Sequence, residues 1–370
     1  MTTRILMIYL FRLNATRCLN ILALVFFIIW IGQFSDLVGR FKETAQSDIG
    51  SLLMLSLMRS PTLMFEVLPH IILIGTALTV HDLAKNFELQ MTMMMTRLRL
   101  RQIILPIALS AAALGSIYIL IVDPIAANLM DRTGQFESIS QRSSARITHE
   151  ASLPLPHGGT IFVFARDVLP SKARAVGLSV FVTGVNNRLL ARIEASAADM
   201  STRPWRLIDM QVRFTTPKYV EGEHQDILTV LTRETDNRYG LNLPTETLLA
   251  EIRDPSHGSL WLLPSWIANA AKLGRQTLGF ERYFHRRLAF PMLLASIAFL
   301  GAAIASSFIA REPWLRIGAQ FLLTVFLLYT LFTVADALAA RERISPVSAA
   351  WLPVIICFVG ASFILRVKRI

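Results

Sequence analysis

The sequence predicts an α-helical membrane protein with six transmembrane helices, arranged 3+3 around an inserted β-jellyroll-like domain. Two observations lead to this fold class. The 370 residues are 53% hydrophobic and only 17% charged, which is less charge than soluble proteins carry. The apolar residues also form long blocks at the two ends of the chain, whereas the middle has the composition of an ordinary soluble domain.

Six apolar runs are long enough to cross a bilayer, whose hydrocarbon core requires about 20 apolar residues in a helix. Pro61 is assigned to the first turn of the second run, a position that helices tolerate. The runs divide the chain into a membrane part, 1–123, a β-rich domain, 124–287, and a second membrane part, 288–370. The predicted spans are 18–38, 61–81, 103–122, 288–309, 317–338 and 347–365.

Basic residues are unevenly shared between the short loops on the two sides of the membrane. The N-terminus, the loops after spans two and four, and the C-terminal tail together hold 12 Lys and Arg residues, whereas the opposite short loops hold five. The positive-inside rule therefore places both termini in the cytoplasm and the large middle domain outside.

The middle domain shows short β-rich runs separated by turn residues. Several short strands at such intervals are typical of a sandwich or jelly roll. Helical stretches at 128–142 and 260–277 are expected to join this domain to the membrane. The predicted strands are 160–165, 178–182, 189–197, 205–214 and 227–231.

Composition and motifs argue against several other classes of protein. The net charge of +11 could suggest a nucleic-acid partner, but no basic block with interleaved aromatic residues is present, so no nucleic acid is expected. The two cysteines, Cys18 and Cys357, form no C-x-x-C pair, and no metal site is expected. The sequence also lacks H-E-x-x-H and G-x-S-x-G, so no catalytic residues are predicted.

The source of energy for transport is predicted to lie outside this chain. Proton- or sodium-coupled carriers need carboxylates or unwound helices near the membrane midplane. The apolar runs hold few ionisable residues, and Asp336 stands near the end of span five. No G-x-x-x-x-G-K-[ST] loop is present, so the chain has no ATPase site of its own.

Several stretches of the sequence, together with their order along the chain, resemble the lipopolysaccharide-export permease family. The F-type and G-type subunits of this family work as a pair with a cytoplasmic ATPase. Leu68–Gly75 and Leu83–Leu89 are similar to a family run that leads into a cytoplasmic coupling helix. Phe290–Met292 at the fourth span and Trp205–Leu207 in the β domain match as well. The ending Ala350–Pro353 resembles the G-type subunit more than the F-type.

The resemblance implies a permease subunit of an ABC transporter that extracts lipopolysaccharide from the inner membrane of a Gram-negative bacterium for export to the outer membrane. ATP would be bound by a partner subunit, so no cofactor is expected in this chain. The implied partners are a cytoplasmic ABC ATPase dimer, a homologous F-type permease subunit, a periplasmic bridge protein and a single-span LptC-like subunit. The alternative is a membrane-anchored periplasmic sensor or assembly scaffold without transport activity.

The segment 82–101, between spans two and three, is the candidate for coupling to the ATPase. It mixes an acid, bases and four methionines, and methionine fills grooves adaptably. Where the family usually continues into a glycine turn, this chain has Met91–Thr96, so we expect the helix to continue. The alternative is a solvated loop whose bases only fix topology. The predicted coupling residues are Asn86, Glu88, Met91, Arg97 and Arg99.

Polar residues at the outer end of span one are candidate contacts for the lipid. Gln33 stands where G-type relatives often carry a lysine facing the lipid cavity, and Asp36 and Arg40 keep the polar character. Arg132, just beyond span three, could serve similarly, because a guanidinium binds the phosphates of lipopolysaccharide. The alternative is interfacial snorkelling of these side chains.

Overall fold

The computed structural model describes residues 2–41, 49–96, 100–129, 149–154, 160–169, 174–184, 188–202, 204–214, 231–233, 239–241, 255, 258–272, 276–306 and 314–367. The chain forms two compact units. The first, here called the membrane unit, consists of Met1–Leu129, Gly258–Ile267 and Gln276–Ile370. The second, the β unit, consists of Met130–His257 and Ala268–Arg275.

Long apolar helices dominate the described part of the chain. Six of them are long and apolar enough to cross a membrane, and the predicted fold class is confirmed. The fourth helix continues beyond Ile117 through a π-helical turn, Tyr118–Val122, and remains helical to residue 129. The helices are α1 (Thr2–Phe41), α2 (Ile49–Lys85), α3 (Glu88–Thr96), α4 (Leu100–Ile117), α5 (Leu263–Lys272), α6 (Leu278–Ala305), α7 (Trp314–Ala340) and α8 (Pro346–Val367).

The second span begins earlier than predicted. Helix α2 starts at Ile49, so Pro61 lies inside the helix, and its assignment to the first turn is wrong. The additional turns are held by tertiary packing, because Leu52 and Leu55 form a buried cluster with Leu37 of α1. Burial of these leucines outweighs the local preference of proline for a helix start.

The fourth span is also longer at its start. Helix α6 begins at Leu278, whereas the predicted span begins at residue 288. The additional turns carry Phe280 and Arg287, both buried. A search for apolar runs excludes this stretch because it contains several arginines. Their charges are paired only once the chain has folded.

Helix α6 is the centre of the membrane unit and packs against α2, α4 and α8. Helix α1 lies on α2 and α4, and a buried polar contact joins it to α4: Asn14 Nδ2 donates to Ser110 Oγ at 2.8 Å. Helix α7 packs mainly against α8, and its apolar surface is largely exposed. The helices are therefore buried to different extents, and α1 and α7 bury the smallest share of their apolar segments.

The β unit contains an antiparallel sheet of eight strands. Their order is β1-β2-β3-β4-β5-β8-β7, and β6 pairs with β4 beside β5. The first four strands therefore form a meander of consecutive antiparallel hairpins. The strands are β1 (His149–Pro154), β2 (Thr160–Leu169), β3 (Arg174–Thr183), β4 (Leu189–Asp199), β5 (Trp205–Ile208), β6 (Gln211–Phe214), β7 (Leu231–Arg233) and β8 (Tyr239–Leu241).

One face of the sheet forms the core of the β unit. Alternate residues of β2 and β3 are buried, as the period of a strand requires, and Trp205 is fully buried among them. The predicted run 205–214 is divided into two strands because Asp209 has a φ of 51°. The predicted connector 260–277 contains α5, whereas most of the connector 128–142, and residues 227–230, lie outside the described residues.

Candidate functional site

The coupling segment opens with a sharp turn at the end of α2. The helix ends at Lys85, and Phe87 adopts a φ of 57°, a left-handed conformation that is uncommon for residues other than glycine. The chain turns there and becomes helical again from Glu88 to Thr96, so the predicted helical continuation is present as α3. Asn86 lies in the turn and Glu88 begins α3, and both side chains are exposed.

Helix α3 has an inner and an outer apolar face. Leu89 and Met93, one turn apart, pack against the buried cluster of the membrane unit. On the outer face Met91, Met94 and Met95 are 62%, 81% and 82% exposed. The short helix thus presents adaptable apolar side chains to solvent, with Glu88 at one end. Two predicted members of this site, Arg97 and Arg99, lie outside the described residues.

An ion pair joins α1 to the end of α2, the helix that leads into the coupling segment. Arg17 Nη1 of α1 lies 2.5 Å from Asp82 Oδ2 of α2 and also donates to the carbonyl oxygen of Leu78 at 3.0 Å. Both charged side chains are partly exposed, so the pair contributes little to stability. The packing of α1 along α2 holds the two helices together, and the ion pair marks this contact near the end of α2.

A second site is a pocket lined by side chains of α2, α6, α7 and α8, here called the arginine pocket. It combines two guanidinium groups, two carboxylates and a mainly apolar wall. The lining residues are Phe65, Glu66, Pro69, Arg282, Arg286, Phe290, Leu293, Phe332, Ala335, Asp336, Ala349, Ala350 and Pro353.

The charges of the arginine pocket are held loosely. Arg286 Nη1 lies 3.2 Å from Asp336 Oδ2 in a partly exposed ion pair that joins α6 to α7. Arg282 Nη1 donates to the carbonyl oxygen of the same Asp336 at 3.4 Å. The Arg286 guanidinium also lies 5.2 Å from the ring centroid of Phe65, within the range of a cation–π interaction. Phe65 in turn stacks on Phe290 at 4.4 Å.

The next residue along α6, Arg287, is bound quite differently. Its Nε donates to Asp123 Oδ1 at 2.8 Å, and the two side chains are only 9% and 7% exposed. Asp123 Oδ2 accepts a second hydrogen bond, from the backbone N–H of Leu260 at 2.9 Å. The π-helical turn that precedes Asp123 is anchored as well, because Tyr118 donates its hydroxyl to the carbonyl oxygen of Pro61 at 2.6 Å.

The geometry separates a structural arginine from two arginines that a ligand could reach. The Asp123 carboxylate satisfies Arg287 inside the protein, whereas Arg282 and Arg286 line an apolar pocket. A guanidinium binds carboxylate and phosphate oxygens through a planar set of donors. The arginine pocket is thus suited to an anionic group that lies beside apolar side chains.

The predicted lipid contacts lie apart from this pocket. Gln33 and Asp36 are one turn apart on α1, and neither lines the arginine pocket. Arg40 belongs to the last turn of α1, but its side chain is outside the described residues, as is the whole of Arg132. The structure therefore places two of the four predicted residues together and does not connect them with the arginine pocket.

Sequence reasoning missed the arginine pocket and the Asp123–Arg287 pair. A signal was present in the stretch Arg282–Arg287, which holds three arginines directly before the fourth predicted span. In the orientation predicted from the sequence, the positive-inside rule expects few bases in this stretch. Two of the three arginines pair with carboxylates in the structure, Arg286 with Asp336 and Arg287 with Asp123.

One known protein family matches almost the whole chain. The model of a family described as the lipopolysaccharide export system permease LptF/LptG matches residues 8–367. The match includes the predicted spans and the β unit together. A comparison with curated proteins found no match. Within the described residues, no group of three or more His, Cys, Asp or Glu side chains could hold a metal ion.

Proposed function

The chain belongs to the lipopolysaccharide export permease family LptF/LptG, and on this basis we propose that it is the permease subunit that extracts lipopolysaccharide from the inner membrane for export to the outer membrane. The family is a transport component and not an enzyme. Under this proposal a separate cytoplasmic ABC ATPase dimer binds ATP and drives transport, and this chain holds no cofactor. The resemblance at Ala350–Pro353 favours the G-type subunit, which pairs with an F-type subunit.

The proposed orientation places both termini in the cytoplasm and the β unit in the periplasm. Its support is the distribution of 12 basic residues against five in the short loops. The coupling segment then lies on the cytoplasmic side, where the ATPase is, and the arginine pocket lies toward the periplasmic ends of the spans. A periplasmic bridge protein and a single-span LptC-like subunit would meet the chain on the outer side.

The arginine pocket is the observation that supports lipopolysaccharide as the substrate. Lipopolysaccharide combines phosphates with several acyl chains, and the pocket combines Arg282 and Arg286 with an apolar wall. A partly exposed ion pair contributes roughly 0–1 kcal/mol, so a phosphate could replace Asp336 on Arg286 at little cost. Such an exchange would also release α7 from α6 at this point. Gln33, Asp36, Arg40 and Arg132 remain proposed further contacts of the same lipid.

The coupling segment is the proposed contact with the ATPase. The outer face of α3 offers Met91, Met94 and Met95 to an apolar groove, and Glu88 offers a charge to a basic partner residue. Asn86, Arg97 and Arg99 are proposed to contribute polar contacts at the same interface. Because α1 packs along α2 and pairs with its end through Arg17 and Asp82, movement of α3 would be transmitted to both helices.

The test of this proposal is depletion of the chain in its native host, with arrival of lipopolysaccharide at the cell surface as the readout. We expect arrival to stop, and to be restored by the wild-type chain but not by an Arg282→Gln/Arg286→Gln variant. The matched control is Arg343→Gln, an exposed arginine in the short loop between α7 and α8. Normal arrival after depletion would refute the transport function and favour a sensor or scaffold, whose loss should disturb partner assembly alone.

A further inference from the structure

A groove separates α1 from α4 near the N-terminal ends of both helices. It lies far along α4 from Asp123, which marks the other end of that span. The wall of this α1–α4 groove is apolar, and most of its side chains are exposed. The lining residues are Arg4, Met7, Ile8, Phe11, Leu105, Pro106 and Leu109.

A buried polar contact joins α1 to α4 beyond the residues that line the α1–α4 groove. Asn14 Nδ2 donates to Ser110 Oγ at 2.8 Å and approaches the carbonyl oxygen of Ile107 at 3.3 Å. From Arg4 to Phe11, the last residue of α1 that lines the groove, the rise amounts to about 10 Å. The hydrocarbon core of a bilayer is about 30 Å thick, so the lined part of the groove covers about two thirds of one leaflet.

Two arginines stand at the open end of the groove. Arg4 lines the groove directly and begins a stripe that continues through Ile8 and Phe11 of α1. Arg101 lies one turn before Leu105, on the same face of α4 as that leucine. Both arginines are exposed, and neither forms an ion pair within the described part of the chain.

We propose that the α1–α4 groove binds an anionic phospholipid of the leaflet that surrounds these helix ends. The acyl chains would lie along the apolar wall, and the head-group phosphate would meet the two guanidinium groups. In the proposed orientation this is the cytoplasmic leaflet. The site thus differs from the arginine pocket in its position along the helices, its lining and its leaflet.

The position of the two arginines beside an apolar groove distinguishes a phospholipid site from arginines that only snorkel to the interface. A snorkelling arginine needs only an apolar stem and a route to the interface. Here Arg4 and Arg101 come from two helices, and the apolar groove that Arg4 lines lies between these helices. This arrangement offers an apolar wall to the acyl chains of a phospholipid and two cations to its phosphate.

The test is native mass spectrometry of the full chain in mild detergent, with added phosphatidylglycerol or phosphatidylcholine of identical acyl chains. We expect the wild type to retain phosphatidylglycerol preferentially. Because a basic residue at a membrane surface contributes about 1 kcal/mol, each arginine removed by Arg4→Gln or Arg101→Gln should weaken retention roughly fivefold. The matched control is Arg366→Gln, an exposed arginine in the last turn of α8 that lies outside the groove.

A second variant tests the apolar wall without changing charge. Ile8→Trp should fill the groove and reduce retention of phosphatidylglycerol while the thermal unfolding midpoint stays at the wild-type value. Equal retention of both lipids by the wild type, or an equal effect of Arg366→Gln and Arg4→Gln, would overturn the proposal. Loss of the lipid when the chain is assembled with its partner subunits would overturn it too, because the groove would then be a subunit contact. None of these readouts depends on lipopolysaccharide export, so this proposal can fail while the proposed function stands.

Discussion

Arg287 and Asp123 form an ion pair of 2.8 Å that is almost closed to solvent, whereas the adjacent Arg286 holds Asp336 at 3.2 Å in a partly exposed pair. Two neighbouring residues of one helix therefore face different electrostatic conditions. Removing one partner of a buried pair leaves an uncompensated charge, which costs about 3–5 kcal/mol. An exposed pair contributes roughly 0–1 kcal/mol. The first pair is suited to fixing the fold and the second to exchanging its partner.

Asp123→Asn should strongly destabilise the membrane unit. The substitution leaves the Arg287 guanidinium buried without a counter-charge, and an amide replaces the carboxylate oxygens that accept from Arg287 Nε and Leu260 N–H. We expect a fall of several degrees in the thermal unfolding midpoint of the purified chain in detergent. Asp336→Asn is the matched control and should change the midpoint little.

The same pair allows a second comparison. An Asp123→Leu/Arg287→Met double variant removes both charges and keeps apolar volume, so it should be more stable than Asp123→Asn alone. An equal loss of stability in Asp123→Asn and Asp336→Asn would show that the buried pair contributes no more to stability than the exposed pair.

Asp336→Asn is predicted to increase binding of lipopolysaccharide. The amide removes the carboxylate that competes with phosphate for Arg286, so the guanidinium becomes more available to the lipid. The measurement is the amount of lipopolysaccharide that copurifies with the chain, or that a photoreactive group at Phe332 captures. Glu342→Gln removes an exposed carboxylate just beyond α7 and should have no effect. If adding Arg286→Gln leaves the gain intact, the gain does not arise from freeing Arg286.

A Met94→Glu/Met95→Glu variant should lose its ATPase partner. Charges on the outer face of α3 cannot enter an apolar groove without a desolvation cost. We expect loss of ATPase copurification while the thermal midpoint of the isolated chain is preserved, because both side chains are exposed. Met93→Leu changes the inner face of the same helix conservatively and serves as the control. Retention of the ATPase by the double variant would place the coupling contact elsewhere.

The spans and several strands could be predicted because each depends on a local pattern. A span is a run of apolar residues of known length, and β2 and β3 alternate with a period of two. The start of α2 could not be found in this way. Pro61 is a common first-turn residue, and only the contact of Leu52 and Leu55 with Leu37 shows that the helix extends past it.

The arginines before the fourth span are a sequence signal, but the arginine pocket as a whole could not be predicted, because its parts are distant in sequence. Phe65, Arg286 and Asp336 belong to three different helices, and only packing brings them together. The coupling segment was accessible to sequence reasoning because it is one continuous stretch between two spans. The turn at Phe87 was not, since its left-handed conformation has no sequence signal in the absence of glycine.

Gly301→Val should destabilise the membrane unit, because α6 and α2 approach closely at this glycine. A Cβ atom there would lie 3.0 Å from the carbonyl oxygen of Leu73, a backbone atom that cannot move without shifting α2. We expect a lower yield of folded protein and a fall of several degrees in the thermal midpoint.

Gly32→Ala is the matched control, because a Cβ atom at this position of α1 meets nothing within 4 Å. Alanine favours a helix over glycine by about 1 kcal/mol, so this variant should be as stable as the wild type or slightly more stable. Equal effects of the two variants would show that the contact between α6 and α2 tolerates a side chain, contrary to the geometry at Leu73.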